Sequence, residues 1–351
     1  MDKALADMVT GTNLKQLTGL DSPLPVCLIL FCMEDITKKG CLHSDLEVWD
    51  FYGTCRYYKI DTKEVNHMDY QEKREKRISI FEDTIQYCER TPGLVEAVMR
   101  TRENTMLYRN PLEDLDRPHS PAAPCRITVT DHRSLEAAQK LTGKYPDSRV
   151  GVLNFASASN PGGGVVRGSN AQEECLCRCT TLYPCLNVET LWQEYYHFHR
   201  NRESALYTDT CIYTPGIVGI KRDQQWPELM DEKEWFMVDV ISCPAPNLRR
   251  SPSNQMNPFS GKPVHIEEER LKDLLKHRMK GILQVAASHQ IEALVLGAFG
   301  CGAFCNPPHI AALAYAEALE EYRSFFKEVE FAVYCPGEDR TNYEEFLNVL
   351  G

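Results

Sequence analysis

From residue 125 onward the sequence predicts an α/β sandwich built on a mixed or parallel sheet. Three observations predict it. Short apolar runs alternate with longer segments of helical period, polar connections separate them, and two glycine clusters each follow a strand and precede a helix. In order, strands are expected at 126–130, 150–155, 212–220, 236–242, 293–297 and 329–335. Helices are expected at 134–142, 170–182, 188–202, 267–288 and 308–326, with 223–234 and 249–263 as polar connections.

The upstream part reads differently. Residues 72–90 place Ile78, Ile80, Phe81, Ile85 and Cys88 at helical spacing, Thr91-Pro92-Gly93 breaks the pattern, and 94–106 predicts a second helix. Residues 111–124 are rich in proline and charge, as in a linker. A helical segment at 69–124 is therefore expected to pack on the domain at 125–351, preceded by an extension at 1–68 that shows no clean period. Within that extension the apolar run 25–33 is too short to span a membrane and reads as a buried strand. It also lacks the basic lead and small-residue cleavage site of a secretory leader, which makes a cytoplasmic protein the expectation.

Composition narrows the function classes. The chain has 351 residues, 43% of them apolar, enough for a substantial core. A net charge of −11 argues against duplex nucleic acid or an anionic membrane as partner, since both need a basic field. A small anion held by backbone dipoles is a local matter and stays open. Fifteen cysteines spread over the whole length, an odd number, read as reduced thiols rather than a disulfide scaffold. Cys301 and Cys305 have a permissible spacing for zinc, but no second Cys/His pair accompanies them.

The chemistry concentrates in the glycine clusters. Gly162, Gly163 and Gly164 follow the strand ending near Phe155, and Gln172, Glu173 and Glu174 open the next helix. Consecutive glycines are entropically costly and are best explained where the backbone must approach something closely or adopt positive φ. Strand, glycine loop and helix N-terminus form a usual cradle for a diphosphate. The second cluster, Gly297 to Pro308, carries small residues at Gly300, Cys301, Gly302 and Ala303, followed by Phe304. Two such loops at the C-terminal ends of strands suit a ligand of an open α/β sheet. Neither is followed by Gly-Lys-Ser/Thr and neither fits GxGxxG, which disfavours a standard ATPase or dehydrogenase. Tyr195, Tyr196, His197 and His199 read as core packing rather than a base-stacking surface.

Asn154-Phe155-Ala156-Ser157, the glycine triplet and the Gln-Glu-Glu that follows resemble the signature of the poly(ADP-ribose) glycohydrolase branch of the macrodomains. The second cluster resembles that family's second phosphate loop, and Ser242 to Asn247 is similar to a segment of its bacterial-type members. The resemblance covers about residues 70–351 and implies a three-layer α/β/α sandwich with a mixed sheet. It implies an exo-acting hydrolase that releases ADP-ribose from poly(ADP-ribose) without metal or cofactor. The alternatives are a hydrolase of single ADP-ribose groups on protein or nucleic acid, and a non-catalytic ADP-ribose reader. By the same resemblance Glu174 is the catalytic acid, Glu173 holds the ribose hydroxyls and Gln172 holds the catalytic loop. Gly162 to Gly164 and Gly300 to Ala303 wrap the diphosphate, and Phe304 packs against the sugar bearing the scissile bond. The family often has Asn where this chain has Ser157, so Asn154 and Asn160 are both candidates for the ribose contact.

One carboxyl group suffices on chemical grounds. Cleavage at an anomeric carbon passes through an oxocarbenium-like state, which a bent-back diphosphate can stabilise in place of a second carboxylate. One Glu can then donate the proton and afterwards activate water, provided its pKa is raised. The charge of Glu173 is expected to push Glu174 that way.

Overall fold

The computed structural model describes residues 45–49, 55–59, 68–116, 124–202, 204–253 and 258–351, so the strand expected at 25–33 lies outside the described residues. In the N-terminal unit, β1 (Asp45–Trp49) pairs antiparallel with β2 (Cys55–Lys59). Residues Tyr70–Gly351 form a second unit.

Its seven-stranded sheet contains β3 (Met106–Tyr108), β4 (Arg126–Thr130), β5 (Arg149–Phe155), β6 (Cys211–Gly219), β7 (Phe236–Cys243), β8 (Ile291–Leu296) and β9 (Glu328–Ala332). The spatial order is β3-β6-β7-β5-β8-β9-β4. The strands from β7 to β4 are parallel, while β6 and β3 run antiparallel at the other edge. The sheet is mixed, as expected.

Side chains alternate between two apolar layers, as the period of a strand requires. On β5, Val150 and Val152 join a cluster with Leu135, Ala138 and Leu141 of α4 (Ser134–Lys144) and Leu176 and Cys177 of α5 (Gln172–Cys179). Leu153 joins the opposite cluster, with Leu275, Met279 and Ile282 of α9 (Glu268–Ser288) and Ile310, Tyr315 and Leu319 of α10 (Pro308–Tyr322). Helices thus cover both faces, which makes the three layers. α11 (Thr341–Leu350) adds Phe346 to the second cluster.

The helical segment belongs to the same unit. α1 (Tyr70–Arg90) buries Phe81, Thr84 and Cys88, a stripe three to four residues apart, and α2 (Pro92–Asn104) starts on the proline that ends it. Thr84 Oγ1 donates to the carbonyl of Arg178 at 2.6 Å, and buried Lys221 reaches Asp83 at 2.7 Å.

Several boundaries differ from expectation. The second helix stops at Asn104, and Met106–Tyr108 is an edge strand paired with β6. The linker opens with a helical turn, α3 (Pro111–Asp114), in which Pro111 packs near Gly281. The helix expected at 170–182 breaks at Thr180, which bridges to Gly219, and resumes as α6 (Leu182–Leu186). The helix expected at 188–202 consists of α7 (Glu189–Leu191), a π-helical turn at Trp192–Tyr196 and α8 (His197–Arg202). Tyr195, Tyr196 and His199 are buried in it as read from sequence, while His197 is exposed.

Among the described residues the cysteines from Cys88 to Cys335 are free, no group of three or more His, Cys, Asp or Glu could hold a metal, and no helix is long and apolar enough to cross a membrane.

Candidate active site

The adjacent parallel strands β7, β5 and β8 point their C-terminal ends the same way, so the chain segments leaving them meet at one edge of the sheet. The two glycine loops leave β5 and β8. Their bases touch through the rings of Phe155 and Phe299, edge to face at 5.8 Å. Between them and β6 lies the segment after β7, tied to β5 by the bond from Ala156 N to the carbonyl of Cys243.

The first loop closes onto the start of α5, whose first three residues diverge around the helix. Gln172 turns to β5: its Oε1 accepts from Phe155 N at 2.9 Å, and its Nε2 donates to the carbonyl of Leu153 at 2.8 Å and to Ser134 at 3.1 Å. The amide thus stands in for a neighbouring strand and fixes the end of β5 to α4 and α5. That placement leaves its amide engaged by the protein rather than turned to a substrate.

Glu173 turns under the loop and is 3% exposed. One oxygen accepts from Ser157 N at 2.7 Å and the other lies 3.4 Å from Nδ2 of Asn154. Asn154 is wholly buried, also donates to Ser242 at 2.9 Å, and therefore positions Glu173 rather than facing open space. Burial, followed by the charge of Glu174, pushes the Glu173 carboxyl well above the usual carboxylate range, against the opposing effect of these hydrogen bonds.

Glu174 turns back along the loop. Its Oε1 accepts from Gly164 N and its Oε2 from Ala171 N, each at 2.8 Å, so it caps its own helix while holding the glycine turn. Gly162 and Gly163 have φ of +64° and +59°, a region L side chains rarely adopt. At Gly163 space matters as much. A Cβ there would stand 2.6 Å from Oε1 of Glu174 and 3.0 Å from Oε2 of Glu173. The bare Cα is what lets the loop lie against both acids.

The rest of the loop is tied by arginines that accepted no role from sequence. Buried Arg178 donates to Ser169 O at 2.7 Å and to Asn170 at 2.6 Å; Arg74 donates to Arg167 O at 2.6 Å and Arg77 to Gly168 O at 3.1 Å. The helical segment therefore grips the loop directly. On the other flank Arg200 donates to Ser159 O at 2.8 Å and to Oδ1 of Asn160 at 2.6 Å, its guanidinium lying 4.7 Å from the Trp192 ring and 4.6 Å from that of Phe259. Asn160 is only partly buried and, with Gly163, borders an open cleft. Of the two candidate asparagines, this one faces free space. The spacing of Trp192 and Arg200, one helical stripe eight residues apart, was the available sequence signal for the clamp.

The second loop is built differently. Nδ2 of buried Asn306 donates to Pro246 O at 2.7 Å and Gly300 O at 3.1 Å, docking the loop on the segment after β7. Gly300 has φ +77°, and a Cβ there would meet Asn306 at 2.5 Å and Ala245 at 2.7 Å. Gly302 and Ala303 are exposed, and a Cβ on Gly302 would meet nothing within 4 Å. Phe304 is partly buried, 6.1 Å from the ring of Tyr207 and 5.6 Å from the Arg249 guanidinium. Burial pushes the Cys301 thiol up to about 12, which suits a packing residue and not a nucleophile.

The chain is similar to proteins of known structure and family. The family model for the microbial-type PARG catalytic domain matches residues 65–222. The solved poly(ADP-ribose) glycohydrolase of Thermomonospora curvata is 32% identical with a TM-score of 0.67, over 79% of this chain and 100% of that one. The same enzyme bound to the inhibitor ADP-HPD is similar at 32% identity and a TM-score of 0.65, over 78% and 99%. The poly(ADP-ribose) glycohydrolase of Deinococcus radiodurans in complex with ADP-ribose is 33% identical with a TM-score of 0.62, over 74% of this chain and 97% of that one. No curated protein matches.

Proposed function

The chain belongs to the microbial-type poly(ADP-ribose) glycohydrolase family, and on that premise we propose that Glu174 carries out the hydrolysis of the ribose–ribose bond of poly(ADP-ribose) as general acid and base. The observation that carries this assignment is the packing of both acids against the bare Cα of Gly163, at the border of the cleft.

In the proposed reaction the bond between the anomeric carbon and the bridging oxygen breaks. Glu174 gives its proton to that oxygen, which leaves as a hydroxyl on the remaining chain. The positive charge on the sugar is stabilised by the substrate's own diphosphate, held between the backbone of Gly162 to Gly164 and that of Gly300 to Ala303. Glu174 then takes a proton from water as its oxygen joins the anomeric carbon, and ADP-ribose departs. Both oxygens of Glu174 accept backbone N–H groups, which fixes the carboxyl in place beside the glycine turn.

Glu173 is assigned to the ribose hydroxyls. Its buried carboxyl, held toward the neutral form, can donate as well as accept there. Asn160 would give the further ribose contact, Asn154 would orient Glu173, and Phe304 would pack on the same sugar. ADP-ribose is the product and poly(ADP-ribose), or protein that bears it, the partner; duplex nucleic acid is not. Cleavage at chain ends is part of the proposal.

The test is to incubate wild type and Glu174→Gln with poly(ADP-ribose) and with mono-ADP-ribosylated protein, and to resolve products by length. Wild type should release monomeric ADP-ribose from polymer from the first time points, and the variant should not. Equal release by the variant would remove Glu174 from the mechanism, early oligomers would remove the end-directed mode, and binding without turnover would indicate a reader.

A further inference from the structure

We propose that the cleft on the outer flank of the first glycine loop is the subsite for the leaving group, and that it takes the adenine of the neighbouring ADP-ribose unit, stacked on Trp192. The proposal rests on the reaction given above and names the group on the far side of the bond that Glu174 would break.

Position is the first argument. The cleft is bordered by Asn160, Gly163, Val166 and Arg167 of the loop and by Tyr183 and Trp192 of the helices beside it. It shares Gly163 with the two acids, so it begins at the reacting centre. No residue of the second loop borders it. The space between the two loops is assigned to the diphosphate, and the anomeric carbon sits at the acids. From that carbon the diphosphate runs one way and the bridging oxygen the other. Bordered by the outer flank of the first loop and by no residue of the second, the cleft is assigned to the second side.

Its chemistry is the second argument. Trp192 is held in place from several directions: Nε1 donates to Asn187 at 2.8 Å, the ring lies 5.2 Å from that of Tyr196, and the Arg200 guanidinium sits over it at 4.7 Å. The π-helical turn Trp192–Tyr196, closed by the bond from His197 N to Trp192 O, is the local departure that sets this residue's direction, and such turns recur at functional sites. Val166, at the loop's tip, leaves 48% of its surface exposed beside the indole. An immobilised indole beside an exposed apolar side chain is a stacking platform for a planar base. Arg200 and Arg167 give this flank positive charge in a chain of net −11, which suits the phosphates that accompany the adenine.

In poly(ADP-ribose) the leaving hydroxyl belongs to a ribose that carries adenine. In a group attached to a serine side chain it does not. The cleft therefore favours bonds between polymer units over the bond to protein, because only the former brings a ring to Trp192.

The test compares two substrates. One is poly(ADP-ribose); the other is ADP-ribose bearing a trifluoroethyl ether at the anomeric oxygen, whose leaving alcohol is comparably acidic but has no ring. For Trp192→Ala, kcat/KM on the polymer should fall by about 10- to 100-fold, the range of a lost base stack. On the ether, where only the support of Arg200 and Asn160 is disturbed, the fall should be at least about fivefold smaller, and Trp192→Phe should recover much of the loss on the polymer. An equal fall on both substrates would assign Trp192 a structural role only, and no fall on the polymer would place the adenine elsewhere; either result overturns the subsite. Wild type that cleaves neither substrate would overturn the reaction itself and the subsite with it.

Discussion

The two glycine loops look alike in sequence, yet the molecule uses glycine in them for opposite purposes. In the first, the Cα of Gly163 makes room for the protein's own carboxylates, Glu173 and Glu174. In the second, Gly300 makes room for Asn306 and Ala245, which anchor the loop, while Gly302 makes room for nothing that the protein supplies. The first loop is closed around two carboxyl groups. The second is fixed at its base and open at its tip, as a holder of ligand would be. The lesson is that a glycine cluster shows that something comes close, and only the fold tells whether it is a catalytic group, a scaffold group or a ligand.

Substitutions can break this comparison, starting with the largest effect. Gly163→Ala puts a methyl group against both acids and forces an unfavourable φ. Displacing a catalytic group by about an ångström can cost on the order of 100-fold, so kcat on poly(ADP-ribose) should fall at least that far in steady-state assays. Stability should fall by about 1–3 kcal/mol in denaturant titrations. An active Gly163→Ala enzyme would show that the loop need not touch the acids.

Gly300→Ala should act on binding first. The new methyl group must push on Asn306 and Ala245, and if the loop shifts by an equivalent of about 1–3 kcal/mol the ADP-ribose Kd rises by about 5- to 150-fold. Calorimetric titration measures it. A variant that loses kcat with Kd unchanged would place chemistry in the second loop too. Gly302→Ala is the finer probe: with open space around the Cβ, the melting temperature should move by less than about 1 °C, while ADP-ribose binds several-fold more weakly. Wild-type affinity would mean that the diphosphate does not lie on this face.

The smallest effect concerns pH. A carboxyl raised above its unfolded value keeps a proton that the unfolded chain releases, so burying Glu173 costs stability as pH rises above the ordinary Glu range and costs none below it. Glu173→Gln, which has no proton to lose, should be inactive yet melt about 2–4 °C above wild type near pH 8, an offset that fades toward pH 4. A pH-independent offset would show that the carboxyl is not held up by its burial.

What could be read from sequence and what could not follow a physical divide. Strand and helix alternation, the two loops and the Gln-Glu-Glu at a helix start are local patterns, and each stands where its pattern put it. Edges of elements are decided by partners. Met106 to Tyr108 becomes a strand only because β6 lies alongside, and the helix after Glu174 ends at Thr180 because that residue bridges to Gly219. How each acid is held is likewise tertiary: the two are adjacent in sequence, but Glu173 turns under the loop while Glu174 turns back along it. The clamp of Arg200 on Ser159 and Asn160 joins residues about forty apart, and only its contact with Trp192 follows a local spacing.

The division between a chemical loop and a holding loop is tested most directly by Glu174→Gln. Its kcat on poly(ADP-ribose) and its Kd for ADP-ribose should be measured on the same preparation. The account predicts that kcat falls by about 10²- to 10⁴-fold while Kd stays within about threefold of wild type. A variant whose kcat holds, or whose loss of rate is matched by an equal loss of affinity, would contradict it.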